Sequence, residues 1–343
     1  MHPSVDPVQR PPQKIYSNGL RVRLLPLLGS SQAAALVRVH AGSHDAPSTY
    51  PGLAHFLEHL LFLGSRKYPA AEGLMPFVQG CGGQLNASTR ERHTDFFFQL
   101  PASQLEEGLH RLLDMLVHPL LAPDAQLRER EVLQAEYQAR AQDAETLCDA
   151  ALGRATDPDH PFGGFHAGNR NTLPVEDAAF QQALLGYHRR FYHAGQTELL
   201  LAGPQHEGAL RRLAERMDAG LASHPSVARQ APPLRFNADA WFRLHLSNAQ
   251  PRMQLAFVLD QLPEHAVPAL DYLSTWLASE APGGLSQRLR EAELCQSVKL
   301  RTPYLYAEQA VALARRPVLA RQELRHDEER DALHALGRVG KAR

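Results

Sequence analysis

The pattern of strands and helices in this chain predicts an α+β protein. Three observations carry that reading. Residues 14–27 and 81–100 read as hairpins of alternating apolar positions. Several later stretches repeat their leucines at helical spacing. The order strand then helix, first met over 33–63, returns weakly over 253–279. At 343 residues the chain exceeds one typical domain, and a prior of about 150 residues per domain suggests two.

Taken in order, residues 1–13 carry prolines and charges without an apolar run of the length a secretory signal needs, so a disordered lead-in is expected. Ile15 and Tyr16, then Ser17-Asn18-Gly19, then Leu20, Val22 and Leu24 alternating with Arg21 and Arg23 read as strand, turn, strand. Asn-Gly between alternating apolar positions is a strong hairpin signal. The apolar run 33–41 suits an interior strand. Residues 42–50 read as a loop, with a helix after Pro51-Gly52 and a short one over 73–79. Residues 81–89 and 94–100 flank the charged turn Arg90-Glu91-Arg92, and Gly82-Gly83 at the start marks a bend or a close approach of another backbone. Residues 81–89 are read either as an ordinary hairpin arm or as an edge strand that an extended peptide can join by main-chain hydrogen bonds.

Leu105, Leu109, Leu112, Leu113 and Leu116 predict a helix over 103–117, ended by His118-Pro119. Pro123-Asp124 opens another, with Asp124 as its cap, running from 125 to about 152. Its charges, among them Arg128, Arg130 and Arg140, would usually mean a solvated face. Glu129 and Glu136, however, are seven positions apart and share one face to within about 20°. Residues 157–169 form a loop dense in turn formers. Its histidines are possible ligands, but His160, just before a proline, is read as structural. Helices over 175–194 and 206–221, with a strand over 198–202 between them, complete an α+β domain spanning 14–225. Residues 226–235, with Pro232-Pro233, look like a linker. A second, incomplete α+β domain is expected over 236–314: a strand over 253–259, a helix over 267–279, another opened by Pro282-Gly283-Gly284-Leu285, and a strand-like Tyr304-Leu305-Tyr306. Residues 315–343 are charged and alanine-rich, an atypical tail expected to be a poorly packed helix or a disordered end.

Composition excludes several roles. The 36 basic and 37 acidic residues nearly cancel, so nothing favours bulk attraction to nucleic acid or to an anionic membrane. No run of about 18 apolar residues exists to span a bilayer, and a soluble, cytoplasmic protein is expected. Cys81, Cys148 and Cys295 are an odd set without a Cys-x-x-Cys pair. Neither a disulfide framework nor a thiolate zinc site is indicated, and a reducing compartment fits.

The chemistry concentrates in His55-Phe56-Leu57-Glu58-His59. On a helix, His55 and His59 lie about 40° apart on one face, so the two imidazoles can hold one metal ion. Glu58 sits beside that pair, where a carboxylate can take a proton from water at the metal. The order His-x-x-Glu-His is the inverted form of the zinc-protease signature. A lone helical histidine is more often a satisfied core or surface residue. Here, however, Ala54, Phe56, Leu57, Leu60, Leu61, Phe62 and Leu63 make the helix apolar nearly all round. Unpartnered polar groups in such a setting cost a few kcal/mol each, so pairing or a metal is expected.

Together with the strand from Gly82-Gly83 to Thr89 that carries Asn86-Ala87, with Glu129 and Glu136, and with the block from His160-Pro161-Phe162 to Gly168-Asn169 and Thr172-Leu173, this motif resembles the insulinase/pitrilysin family of zinc endopeptidases. The likeness covers roughly residues 14–310 and is strongest over 51–173. The separation of His59 and Glu136 is the one that family uses for its third zinc ligand. Over residues 37–100, with the loop Gly42-Ser43-His44-Asp45, the chain is most similar to the bacterial members of pyrroloquinoline quinone (PQQ) biosynthesis, which implies a peptide precursor as substrate.

The resemblance implies repeated α+β domains of the type shared with mitochondrial processing peptidase and LuxS, with a mixed or antiparallel sheet packed against helices. It implies Zn2+ held by His55, His59 and Glu136, with Glu58 as general base, Glu129 supporting the site from behind the ligands, and Asn86 and Ala87 on the strand that holds the substrate backbone. Three such ligands leave a fourth position for water, which zinc acidifies before it attacks a scissile carbonyl. A purely structural zinc is disfavoured, because such sites take four protein ligands and usually cysteine. Family members enclose their site with two half-chains, whereas here the second domain stops early. A second half-chain or a homodimer is therefore an expected partner, and a peptide-binding subunit without turnover is the alternative to an active peptidase.

Overall fold

The computed structural model describes residues 11–141, 143–164, 166–229, 231–237, 242, 244, 252–263, 266–294 and 297–317. It divides into two compact units, Met1–Pro232 and Pro233–Arg343. Residues 1–10 of the expected lead-in, Cys295 and residues 318–343 of the expected tail lie outside the described residues.

In the first unit, β1 (Gln13–Ile15) and β2 (Arg21–Pro26) form the predicted hairpin, and β1 takes in the last residue assigned to the lead-in. Gly19 in the turn has φ +94°, a conformation that glycine adopts without cost. β3 (Gln32–Val39) alternates between half-buried and buried positions, with Ala33, Ala35, Val37 and Val39 inward. Then come α1 (Leu53–Leu61), α2 (Leu74–Gly80), β4 (Gln84–Thr89) and β5 (Thr94–Pro101). Next are α3 (Leu105–Val117), α4 (Pro123–Arg140), α5 (Ala144–Arg154), α6 (Ala178–Phe191), β6 (Thr197–Gly203) and α7 (Glu207–Gly220).

The strands form one six-stranded sheet in the order β1-β2-β6-β3-β5-β4. β2 and β6 are parallel and every other pairing is antiparallel, so the sheet is mixed. The inward side chains of β5, Phe96, Phe98 and Leu100, join Phe56, Leu57 and Leu60 of α1 and Leu105, Leu109 and Leu112 of α3 in one core. Each such side chain contributes about 1.5–3 kcal/mol by leaving water. That core holds α1 against the sheet beside β4, one of its two edge strands. Gly83 shows the expected close approach: a Cβ there would lie 2.4 Å from the Gln99 carbonyl oxygen.

Two expectations are corrected here. The helix read as continuous from 125 to about 152 is two helices. Asp143 interrupts it, its carboxylate accepting from the Thr146 amide at 2.8 Å and capping α5. At the other end the N-cap of α4 is Ala122, not Asp124. Proline at the first helical position needs no amide partner, and Asp124 pairs with Arg128 one turn on at 2.9 Å.

In the second unit, β7 (Arg252–Leu259), β8 (Lys299–Tyr306) and β9 (Gln309–Pro317) form an antiparallel sheet in the order β7-β9-β8, accompanied by α8 (Ala266–Ala278) and α9 (Leu285–Glu291). The central strand β9 is an addition to the expected elements, and its last residues, 315–317, belong to a strand rather than to a helix or disordered tail. Ala310, Val311, Ala312 and Leu313 are all buried, so the strand reads as a continuous apolar run without alternation. Its hairpin turns through Ala307 and Glu308 at φ +50° and +65°. Positive φ at both central residues usually calls for Asn-Gly, which is missing here.

Candidate metal centre

α1 begins where two backbones nearly touch. Its N-cap Gly52 has φ +93°, and a Cβ there would lie 2.2 Å from Cα of Gly168, itself at φ +83°. Only glycine at both positions permits that approach. It brings the Ala167 carbonyl to His55, whose Nδ1 donates to it at 2.7 Å. One turn on, His59 Nδ1 donates to Glu129 Oε1 at 2.7 Å. With both Nδ1 protons engaged, each neutral ring turns an Nε2 lone pair outward.

Those two lone-pair nitrogens face each other at 3.2 Å. Such a pair repels unless a proton or a cation lies between. Glu136 supplies a third donor. Its Oε2 lies 3.8 Å from His55 Nε2 and 4.0 Å from His59 Nε2, while its Oε1 accepts from Arg140 at 2.6 Å. The three donor atoms lie 3.2, 3.8 and 4.0 Å apart, close to the roughly 3.4 Å that separates ligand atoms around a tetrahedral zinc with bonds of about 2.0–2.2 Å. Among the described residues, these three form the one group of histidine, cysteine or acidic side chains close enough to hold an ion.

α4 delivers both glutamates. Glu129, Leu133 and Glu136 follow one another at four and three positions along one face. Leu133 is 1% exposed and packs into the core. The charged run is thus not solvated all round: its Glu129 edge is pressed against α1. Burial acts to lower the pKa of His59, but the bond to Glu129 and the charges of Glu129, Glu58 and Glu136 outweigh it, so the pKa stands raised. Three carboxylates balanced by one bonded arginine leave an excess of negative charge, which suits a divalent cation.

Glu58, on the same helix, is 7% exposed, and its Oε2 accepts from Thr89 Oγ1 at 2.6 Å. Asn86 and Ala87 lie on β4, which pairs with β5 alone among the described strands; Asn86 is exposed and Ala87 half-buried. His160 stands outside the cluster. It is buried, and its Nδ1 accepts from the Phe162 amide at 3.1 Å, a local loop contact. Two contacts were not anticipated from the sequence, the Ala167 carbonyl on His55 and the Thr89 hydroxyl on Glu58. The first leaves a trace in the paired glycines, the second in strand alternation, which puts Thr89 on the same face as Leu85 and Ala87.

Comparison with known proteins agrees with this geometry. Residues 28–163 match the family described as insulinase (peptidase family M16), and residues 180–313 match the peptidase M16 inactive domain. The chain belongs to peptidase family M16. It is 47% identical over 292 residues to coenzyme PQQ synthesis protein F of Pseudomonas protegens, a match covering 85% of this chain and 35% of that protein. The protein of the same name from Pseudomonas aeruginosa is 47% identical over 298 residues, covering 87% of this chain and 38% of its own length. The chain thus spans little more than a third of the curated relatives it matches. The crystal structure of pitrilysin superposes with a TM-score of 0.73 at 23% identity, covering 88% of this chain and 33% of that one, and shares the α+β fold. Among the described residues no helix is long and apolar enough to cross a membrane.

Proposed function

We propose that this M16 chain is the zinc-binding part of an endopeptidase that processes the peptide precursor of PQQ. The observation that carries the reading is the triangle of His55 Nε2, His59 Nε2 and Glu136 Oε2, sized for zinc and built from rings whose Nδ1 atoms are already engaged. In this reading residues 14–225 are the catalytic domain, 226–235 the linker, and 236–314 a second domain that the rest of a longer protein or a partner half-chain completes. The lack of any cysteine pairing pattern supports a cytoplasmic location.

His55, His59 and Glu136 hold the zinc ion. When bound, zinc supplies Lewis acidity toward a carbonyl oxygen and makes water more acidic. The remaining work falls to the chain. The Ala167 carbonyl and Glu129 keep the two rings in the tautomer and orientation that binding needs. Asn86 and Ala87 on β4 align an extended peptide through main-chain hydrogen bonds. The Glu58 carboxylate takes a proton from the attacking water and passes it to the leaving amine as the peptide bond breaks.

Glu58→Gln tests this. The variant should keep one zinc per chain and lose peptide cleavage by about 10²-fold or more, measured by metal content and by hydrolysis of a precursor peptide with and without chelator. An active variant would remove Glu58 from the mechanism. A second reading follows from the fraction of its relatives that the chain spans: it binds peptide but needs a separate half-chain for turnover. Binding without cleavage, restored by adding that half-chain, would favour it.

A further inference from the structure

A carboxylate that works as a general base needs one oxygen free for the proton and gains precision if the other is held. Glu58 has such a hold. The 2.6 Å contact from Thr89 Oγ1 to Oε2 is in the short range typical of a hydroxyl bonded to an ionised carboxylate. Thr89 sits on a rigid element. It ends β4 and pairs in register with Thr94 of β5, which is fully buried. Thr94 Oγ1 spends its own proton on the Ala41 carbonyl at 2.9 Å. The two threonine hydroxyls lie 3.5 Å apart, and the Thr89 proton is the one directed at Glu58. Alternation along β4 completes the placement. Leu85 and Ala87 pack against the core on the α1 side, and Thr89 falls on that same side.

We propose that Thr89 is a positioning residue for Glu58: it fixes Oε2, so that Oε1 is the oxygen left to receive a proton. The proposal rests on Glu58 being the base. It ties the base to an edge strand of the sheet, so the element that lines up the peptide also sets the proton acceptor. A base held by a strand is placed more precisely than one on a loop, and small displacements cost rate.

Thr89→Val keeps the shape of the side chain and removes the hydroxyl; Thr89→Ser keeps the hydroxyl. In the zinc-loaded protein, Thr89→Val should lower kcat by about 10- to 100-fold, part of the 10²–10⁴ a general base supplies. KM and zinc content should stay near wild type, and Thr89→Ser should recover most of kcat. If the valine variant does not fold, Thr89→Ala removes the same hydroxyl. Crystal structures give a readout independent of turnover. The Glu58 carboxylate should occupy one position in the wild type and a displaced or split position without the hydroxyl. An unmoved, single carboxylate position in the variant overturns the proposal, as does a kcat within twofold of wild type or a loss confined to KM. Should the zinc-loaded wild type cleave no peptide even with the completing half-chain supplied, the functional reading fails while the carboxylate's position still decides what Thr89 does.

Discussion

Replacing Glu129 by Gln isolates what a carboxylate behind a ligand contributes to metal affinity. The amide keeps the size of the side chain and can still accept from His59 Nδ1, now at 2.7 Å from a charged oxygen. What disappears is the charge. Hydrogen bonds to charged groups contribute about 1.5–3 kcal/mol against about 1 for neutral ones, so the loss is about 1–2 kcal/mol. Expressed in binding, zinc affinity should fall about 5- to 30-fold, overlapping the lower part of the roughly 10- to 100-fold seen when partners of ligating histidines are removed. Competition against a chromophoric chelator at neutral pH measures it. Glu136→Gln, which alters a donor atom itself, should cost more. Zinc affinity unchanged by Glu129→Gln would refute the claim that the Glu129 charge strengthens His59 as a ligand.

Two further outcomes follow from the same geometry. Gly52→Ala puts a Cβ 2.2 Å from Gly168 Cα at φ +93°, so it should lower stability by about 2 kcal/mol or more and weaken zinc binding by withdrawing the Ala167 carbonyl; an unchanged melting temperature would contradict it. Acidification should release zinc. Because the pKa of His59 is raised against the pull of burial, its ring takes up a proton above the ordinary 6.5, so affinity should begin to fall there as pH drops, with most zinc lost below about pH 6. Zinc retained at one per chain at pH 4 would show that neutral imidazoles are not the ligands.

The site was legible because its chemistry imposes spacing. Two imidazoles that could share one ion need positions one turn apart, which picks out His55 and His59. Glu129 and Glu136 share a face two turns apart, but among so many charges that spacing reads first as a solvated face, and the family resemblance is what assigns them to the site. Their supports are harder to read. A backbone carbonyl such as Ala167 carries no residue signature, and only the paired Gly52 and Gly168 hint that two chains meet. Asp143 was hidden by the unbroken run of charges around it, although an aspartate three residues before Thr146 can cap a helix. Strand β9 escaped because it is buried on both faces and turns through Ala307-Glu308, where backbone strain substitutes for the expected turn residues.

Anomalous diffraction at the zinc edge from crystals of the zinc-loaded chain asks the main question most directly. One strong peak is expected in contact with His55 Nε2, His59 Nε2 and a Glu136 carboxylate oxygen. Zinc bound elsewhere, or His55 and His59 without an ion in a protein shown to be saturated, would contradict it.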